Sequence, residues 1–278
     1  MDKSKKILIL GGEGFIGRNM ADYFSRYYDC YSVGIEKSKF KKRKDKFIKL
    51  DPYKKSIKNN YDVIIHLIDN AVKIKDFSKE EGKLIKNLNL NKSTHLIIFS
   101  SAVVYANPNS DYGKRKLELE RVYSDYCSQR GLKLTMVRLF NVYGPYQAPG
   151  KQGSLVANIL TDYLGGKVTK INDESARRDF LFSGDIGKFI RHIIENSTVG
   201  TLDLASGRLI SIGDLTGTIK KNIIKNKLLL DYGNTREKTF CPKAKSKLPR
   251  KMKITPLNEG LKKTFNFYKK NLKMINKI

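Results

Sequence analysis

Three side chains in the middle of the chain could together move a proton: Ser101, Tyr112 and Lys116. Tyr112 and Lys116 are four positions apart in a helical pattern, so a helix would place them on one face. An ammonium group beside a phenol stabilises the phenolate, which makes the tyrosine a better proton acceptor. Ser101 follows the apolar run 96–99, and its hydroxyl could hold a reacting oxygen. We predict that these three residues are catalytic and that Tyr112 exchanges a proton with a hydroxyl or carbonyl group.

A glycine-rich segment near the start of the chain has the pattern of a dinucleotide site. Gly11, Gly14 and Gly17 follow the apolar run 7–10 and precede a helical pattern. Glycine lets the backbone turn tightly and approach a pyrophosphate, and the N-terminus of the following helix offers free N–H groups. Glu36 comes about twenty residues later, where a carboxylate can accept hydrogen bonds from the adenosine ribose. These residues predict a bound dinucleotide.

Short apolar runs alternate with helical patterns through the first half of the chain. The predicted strands are 7–10, 31–35, 47–50, 63–68, 96–99 and 134–138. This alternation predicts an α/β fold with a Rossmann-type, doubly wound parallel sheet and, after a loop-like stretch, a smaller C-terminal substrate-binding lobe. We predict that 1–140 and 179–200 form the dinucleotide-binding domain, and that 141–178 and 201–278 form the discontinuous lobe.

The composition favours a globular protein with a strong positive charge. The chain has 278 residues, 40% of them hydrophobic, and 55 basic residues against 27 acidic ones, a formal net charge of +28. Such a charge attracts polyanions, but the lysines are scattered along the chain, which favours a compositional origin over nucleic-acid binding. No apolar run has the length of a membrane span or an export signal, so we expect a cytoplasmic protein. The three cysteines are far apart and the histidines lack metal-ligand spacing, so neither disulfides nor a metal site is predicted.

Several further motifs occur in the order found in one known family. They are the glycine turn, His66-Leu67, Ser100 to Tyr105, the Tyr-x-x-x-Lys signature at 112–116, Arg138 to Pro145, Arg178-Asp179-Phe180 with Asp185, and Leu257 to Leu261. Together they resemble the extended short-chain dehydrogenase/reductase superfamily, and within it the NAD-dependent epimerase/dehydratase family. His66 is expected to pack at the end of its strand and to take no part in catalysis.

The resemblance implies a cofactor site and a substrate site. The expected cofactor is NAD, held by Gly11, Gly14, Phe15, Ile16, Gly17, Glu36, Asp51, Leu67, Tyr112 and Lys116. Within this set Asp51 resembles the acid that touches the adenine, and the lysines after Glu36 leave NADP open. The expected substrate is a nucleotide-linked sugar. Asn141 would contact its phosphate region, and Arg178 and Arg236 would clamp the pyrophosphate, since a guanidinium binds phosphate in bidentate fashion.

The chain departs from the family pattern at three places. Glu13 stands beside the glycine turn, and we expect it to face solvent because an inward carboxylate would repel a pyrophosphate. Ile68-Asp69 replaces the usual Ala-Ala and places an acid near the expected nicotinamide pocket. Only ten residues separate Ser101 from Tyr112, fewer than is usual in the family. This shorter connection could alter or disable the pocket.

The motifs leave more than one function open. The dehydratases of the family carry Asp-Glu after the catalytic hydroxyl residue, whereas this chain has Ala102 and Val103, so dehydration is not expected. A nucleotide-sugar epimerase, similar to UDP-glucose 4-epimerase, is favoured, and a nucleotide-sugar 4-ketoreductase is the alternative. A third hypothesis is a non-catalytic protein that binds a dinucleotide or RNA on the same fold. A homodimer is expected, since the helix that bears Tyr112 often pairs in related folds.

Overall fold

Strands and helices alternate along most of the chain. The structure, a computed structural model, describes residues 4–37, 45–69, 74–150, 154–224, 227–233, 242–245 and 252–275. Its strands are β1 (Lys6–Leu10), β2 (Asp29–Gly34), β3 (Lys46–Lys49), β4 (Val63–His66), β5 (His95–Ser101), β6 (Lys133–Leu139), β7 (Asn141–Tyr143), β8 (Thr169–Ile171), β9 (Arg177–Phe182), β10 (Gly200–Leu204), β11 (Leu209–Ser211) and β12 (Leu230–Tyr232). Its helices are α1 (Phe15–Phe24), α2 (Ile74–Asn87), α3 (Val103–Ala106), α4 (Asp111–Arg130), α5 (Leu155–Leu164), α6 (Ser183–Glu195), α7 (Ile212–Asn222) and α8 (Leu257–Ile275).

A parallel sheet of seven strands is the centre of the first structural unit. The strand order is β10-β6-β5-β4-β1-β2-β3, and every neighbouring pair is parallel. The chain runs outward in one direction from β1 to β3 and in the other from β4 to β10, so the order reverses between β1 and β4. Ligands of open α/β sheets bind at the carboxyl ends of the strands at such a reversal.

The core of this unit explains why the central strands read as continuous apolar runs. The residues of β1 from Ile7 to Leu10 are fully buried, as a strand covered on both faces requires. On one side, Leu8 and Leu10 belong to a buried cluster with Leu84 of α2 and Leu119 of α4. Helices α2 and α4 also pack against each other. The sheet therefore holds both helices in place, including the one that carries Tyr112.

The predicted fold class is confirmed, and the six predicted strands correspond to β1 to β6 with shifts at their ends. Three elements of the first unit were not predicted: α2, α3 and β10. β10 lies at an edge of the sheet and pairs with β6 alone, so it needs fewer apolar residues than an inner strand. α2 is rich in lysine and glutamate, and one of its glutamates is buried, which interrupts its apolar stripe.

The second unit is smaller and contains two short sheets. One is β11-β9-β7 and the other is β12-β8. Helix α8 packs against α5, α7 and β9, and a Cβ on its Gly260 would lie 2.2 Å from the Tyr143 hydroxyl oxygen, so only glycine fits there. The buried Tyr268 of α8 donates its hydroxyl hydrogen to the Gln147 carbonyl oxygen at 2.9 Å. These contacts fix α8 on the segment around 143–147.

The division of the chain into units differs from the predicted domains mainly at 179–185 and 201–204, with smaller differences at Phe140 and around Lys245. The first unit comprises Met1–Leu139, Ile186–Leu204 and Lys245–Lys247, and the second comprises Phe140–Asp185, Ala205–Ala244 and Leu248–Ile278. The sequence assigned 179–185 to the dinucleotide-binding domain, whereas the structure places these residues in the second unit. The reason is that β9 pairs with β7 and β11 of the small sheet. Among the described helices, none has the length and apolar character needed to cross a membrane.

Candidate active site

The first turn of α4 places the tyrosine and lysine of the predicted proton-transfer site. Ser110 caps the helix by accepting a hydrogen bond from the Gly113 N–H at 3.0 Å. A Cβ on Gly113 would lie 2.2 Å from the Asn107 carbonyl oxygen, so the helix packs directly on the turn before it. Tyr112 is 37% exposed and Lys116, one turn later, is 7% exposed. The Lys116 ammonium lies 5.4 Å from the centroid of the Tyr112 ring. The short connection from Ser101 thus leaves this pair in the predicted arrangement.

Ser101 lies at the carboxyl end of β5, directly before the short helix α3. Its hydroxyl oxygen accepts a hydrogen bond from the Val103 N–H at 3.2 Å. That bond does not use the hydroxyl hydrogen, which Ser101 can donate to a substrate oxygen. Helix α3 packs against α4. The elements that carry Ser101 and Tyr112 therefore lie beside each other in the first unit.

The glycine turn fits a pyrophosphate. Gly11 has a φ of +79°, and a Cβ on Gly17 would lie 2.4 Å from the Gly11 carbonyl oxygen, so both positions need glycine. Gly14 is the N-cap of α1 and, as a glycine, has no side chain of its own to cap this helix end. A Cβ on Gly14 would meet the Gly11 oxygen at 3.4 Å, an ordinary contact. The N–H groups of the first helical turn, which begins at Phe15 and Ile16, therefore point to a cradle that an anion can fill.

The other predicted dinucleotide residues lie at the same edge of the sheet. Glu36 is exposed just beyond β2, and Asp51 follows β3. Asp51 accepts a hydrogen bond from the Tyr53 N–H at 3.0 Å, which leaves its second carboxylate oxygen beside Lys54 at 3.5 Å. Leu67 follows β4 and donates its N–H to the Leu10 carbonyl oxygen at 3.0 Å. The carboxyl ends of β1, β2, β3 and β4 thus carry the whole predicted set apart from the α4 residues.

Glu13 does not face solvent as expected. The residue is half-buried, and its Oε1 lies 3.5 Å from the Ser32 hydroxyl oxygen on β2. Its Cγ would lie 3.2 Å from a Cβ at Gly34, so the side chain packs along the end of β2. The expectation was wrong because Gly34 has no side chain and leaves room for Glu13 along the end of β2, while the Ser32 hydroxyl donates its hydrogen to Asp45 at 2.5 Å.

Asp69 contacts the proposed catalytic lysine. Its Oδ1 lies 3.5 Å from the Lys116 Nζ, and its side chain is 52% exposed whereas that of Lys116 is 9% exposed. The sequence indicated an acid near the nicotinamide pocket but gave no partner for it. The structure supplies that partner and shows that Lys116 interacts with both Asp69 and the Tyr112 ring.

A buried carboxylate that sequence reasoning missed ties three elements together. Glu81 of α2 is 1% exposed and accepts hydrogen bonds from the hydroxyls of Tyr53 at 2.8 Å and Tyr123 at 3.1 Å. The Nε2 of His66 lies 3.1 Å from the second Glu81 oxygen. The Nδ1 of His66 accepts the Ile68 N–H at 3.3 Å, so Nε2 carries the hydrogen and donates it to Glu81. His66 is therefore a buried structural residue of the segment that leads to Asp69.

The pKa of Glu81 reflects these contacts. Burial by itself raises the pKa of a carboxyl group, but the attraction of the His66 imidazole and the hydrogen bonds from His66, Tyr53 and Tyr123 outweigh burial. The pKa of Glu81 is lowered as a result. The carboxylate therefore stabilises the fold at neutral pH, and this contribution is lost as the pH falls through the folded-state pKa.

Glu81→Ala is expected to lower the free energy of unfolding by about 3–5 kcal/mol at neutral pH, because two phenols and an imidazole lose their acceptor inside the core. Urea unfolding at several pH values measures the effect, and the difference from wild type should shrink in acid. Glu80→Ala is the matched control, since Glu80 pairs with the exposed Lys83 and its loss should cost about 0.5 kcal/mol at most. Equal losses in the two variants would show that Glu81 does not tie these elements together.

Arg138 has a structural role. Its Nε and Nη2 donate to the two carboxylate oxygens of Glu120 at 2.9 and 2.6 Å, and its Nη1 donates to the Tyr105 hydroxyl at 2.6 Å. Tyr105 in turn donates to Asp203 of β10 at 3.0 Å. The guanidinium thus links α4 and α3 directly and β10 through Tyr105. Its Cζ also lies 4.8 Å from the centroid of the Tyr105 ring.

The second unit brings two of the predicted substrate residues to one face of its small sheet. Asn141 pairs with Phe180, and Arg178 pairs with Ile210. Paired residues of neighbouring strands share a face, as do residues two apart on one strand, so all four lie on the same side. Arg236, the third predicted substrate residue, lies outside the described residues.

A cavity of about 450 Å³ opens in the second unit, and Phe180 and Ile210 belong to its lining. Two buried aspartates shape its other walls. Asp179 accepts the N–H groups of Ser206 at 2.6 Å and Gly207 at 2.8 Å, and Asp185 accepts the N–H and hydroxyl of Thr255, both at 2.8 Å. Ser206 and Thr255 line the cavity together with Arg208. The cavity thus combines an aromatic ring, apolar side chains and a guanidinium, a composition typical of small-molecule sites.

Comparisons with known proteins place this architecture in a family. Residues 7–205 match the NAD dependent epimerase/dehydratase family, and the chain belongs to this family. Its cofactor is NAD.

The solved structures with this fold include enzymes with several activities. The UDP-N-acetylglucosamine 4-epimerase of Methanobrevibacter ruminantium M1 is 21% identical, with a TM-score of 0.76 over 97% of this chain and 100% of the other. The NAD-dependent NDP-hexosamine 5,6-dehydratase TunA is 17% identical, with a TM-score of 0.80 over 96% and 98%. Among curated proteins, UDP-glucuronic acid decarboxylase 6 of Arabidopsis thaliana is 23% identical over 92% of this chain and 86% of the relative. At these identities the solved structures show the fold alone, and the family rests on the match over residues 7–205.

Proposed function

We propose that the protein is a nucleotide-sugar epimerase that inverts a hydroxyl-bearing carbon of the sugar. The observation that carries the proposal is the arrangement at the start of α4, where the buried Lys116 ammonium lies against the Tyr112 ring. Ser101 lies on the neighbouring element, and the glycine turn occupies the same edge of the sheet. The similar proteins of known activity are named for UDP-, NDP- or dTDP-linked sugars, which supports a nucleotide-linked sugar as the substrate.

Each of the three side chains has a distinct task in this proposal. Tyr112 removes the proton of the sugar hydroxyl, and the neighbouring positive charge of Lys116 assists this transfer. Ser101 donates a hydrogen bond to the reacting oxygen and holds it in place. NAD, which the glycine turn and Lys116 would hold, would supply the acceptor and then the donor of the hydride at the same carbon. Tyr112 then gives the proton back to the oxygen, so the sugar is neither oxidised nor reduced overall.

The residues after Ser101 favour this reaction over dehydration. Ala102 is the N-cap of α3, and its N–H is used by the Leu139 carbonyl oxygen at 2.8 Å. Val103 follows it at the start of the helix, so neither of the two residues after Ser101 in the chain has a carboxyl group that could eliminate water. A 4-ketoreductase would use the same three residues and is the second candidate. The two activities differ in whether the dinucleotide is consumed.

We propose that the second unit binds the nucleotide part of the substrate. Asn141 and Arg178 would contact the phosphates, and the cavity lined by Phe180 and Arg208 would receive the base and ribose. A phenyl ring offers a flat face for stacking a base, and a guanidinium offers donors for phosphate oxygens. Arg236 is a further candidate phosphate ligand on sequence grounds alone.

A screen of nucleotide sugars with the purified full chain tests the proposal. The assay follows the absorbance of reduced nicotinamide and determines the configuration of the product by NMR. An epimerase gives an inverted product without net change in NAD, whereas a ketoreductase consumes NADH in equal amount to the product. If NAD binds and no nucleotide sugar reacts, the non-catalytic hypothesis accounts better for the chain.

The expected homodimer also remains a prediction. Leu117, on the α4 helix that bears Tyr112, is 40% exposed, which would suit a contact between two copies of α4. Light scattering on the purified protein measures the molar mass and so tests for the dimer. A molar mass equal to that of a single 31.8 kDa chain would contradict the prediction.

A further inference from the structure

The carboxylate of Asp69 lies where it can act on the charge of a bound dinucleotide. Asp69 Oδ1 is 3.5 Å from the Lys116 Nζ, and half of the Asp69 side chain remains open to solvent. The proposed mechanism uses Lys116 and leaves Asp69 without a role. The proposed proton transfer therefore does not explain why an aspartate lies beside Lys116.

The backbone before Asp69 is held in place by hydrogen bonds of Leu67 and Ile68. Leu67 is hydrogen-bonded to Leu10, and Ile68 donates its N–H to His66, which the buried Glu81 holds. A Cβ on Gly11 would lie 3.3 Å from the Ile68 Cγ1 and from the Ile68 nitrogen. The segment therefore lies against the glycine turn at one end and against Lys116 at the other.

The charges at this edge affect the two forms of the cofactor differently. The nicotinamide ring carries a positive charge in NAD⁺ and none in NADH. The Lys116 ammonium disfavours a second cation nearby, whereas the Asp69 carboxylate attracts one and offsets the lysine. We propose that Asp69 makes the site select the oxidised dinucleotide over the reduced one. The proposal rests on the assignment of Lys116 to the nicotinamide end of the site.

Such a preference suits a reaction that begins by oxidising a hydroxyl group. An enzyme that holds NAD⁺ between turnovers is ready for the next substrate, whereas one that holds NADH is not. A single charge acting across several ångströms at a half-exposed site changes a binding ratio by about three- to tenfold. Asp69 is thus a specificity-determining residue and does not itself exchange a proton in the proposed mechanism.

Calorimetric titration of the purified full chain with NAD⁺ and with NADH tests the proposal. The measured quantity is the ratio of the Kd for NAD⁺ to the Kd for NADH. Asp69→Asn keeps the shape of the side chain and removes its charge, and it is expected to raise this ratio about three- to tenfold. Lys116→Met should lower the ratio, because it removes the opposing charge, although both affinities should fall.

Asp76→Asn on α2 is the matched control, since it removes the same charge from an exposed position in the first turn of that helix. It should leave the ratio unchanged. An Asp69→Asn protein that binds both forms with the wild-type ratio, or with equal losses for both, overturns the proposal. A shifted ratio in a protein that turns over no nucleotide sugar supports the role of Asp69 and contradicts only the proposed enzymatic function.

Discussion

Tyr112→Phe is expected to lower turnover about 10²- to 10⁴-fold, the usual contribution of a general acid–base group. The phenyl ring keeps its place on the first turn of α4 and its contact with the Lys116 ammonium, so the change removes the proton path and little packing. The KM for the nucleotide sugar should change little, because the proposed phosphate ligands lie in the second unit. Steady-state kinetics on the substrate found in the screen measures both quantities.

Two further variants separate the tasks within this site. Lys116→Met should lower turnover and also weaken NAD binding, because the Lys116 ammonium is assigned both to Tyr112 and to the bound cofactor. Ser101→Ala should cost less than Tyr112→Phe if the serine positions the reacting oxygen. Wild-type turnover in Tyr112→Phe would refute the mechanism. Turnover is compared only among variants whose Tm shows that they are folded.

Gly14→Asp is expected to abolish the thermal stabilisation that NAD gives to the wild-type protein. Saturating ligand stabilises a native state by about 2.7 kcal/mol at a hundredfold excess over Kd, which corresponds to several degrees in Tm. The aspartate would fill the cradle at the N-cap of α1 and place a negative charge where the pyrophosphate binds. Differential scanning fluorimetry with and without NAD gives the result directly.

The structure makes Gly14 the appropriate glycine for this test. A Cβ at Gly14 makes only an ordinary contact, whereas one at Gly17 would lie 2.4 Å from the Gly11 oxygen and distort the turn itself. Gly217→Asp on α7 is the matched control, since a Cβ there meets nothing within 4 Å. It should keep the full NAD-dependent shift. Normal stabilisation of Gly14→Asp by NAD would show that the pyrophosphate binds elsewhere.

The sequence by itself determined the fold class, the glycine turn and the tyrosine–lysine pair. Each of these depends on residues that are close in the chain. Buried parallel strands need continuous apolar runs, a dinucleotide turn needs glycine at fixed spacing, and two side chains four residues apart share a face of a helix.

Only the tertiary structure decided which distant residues meet. In the sequence Glu81 is one more charged residue of a segment rich in lysine and glutamate, and only the fold places it among Tyr53, His66 and Tyr123. Asp69 was visible as an unusual acid, but its contact with Lys116 depends on how β4 and α4 pack across the core. Glu13 packs along the end of β2 because Gly34, a strand residue far along the chain, leaves space for it. Contacts of this kind join segments that the chain keeps apart, and no local period or spacing encodes them.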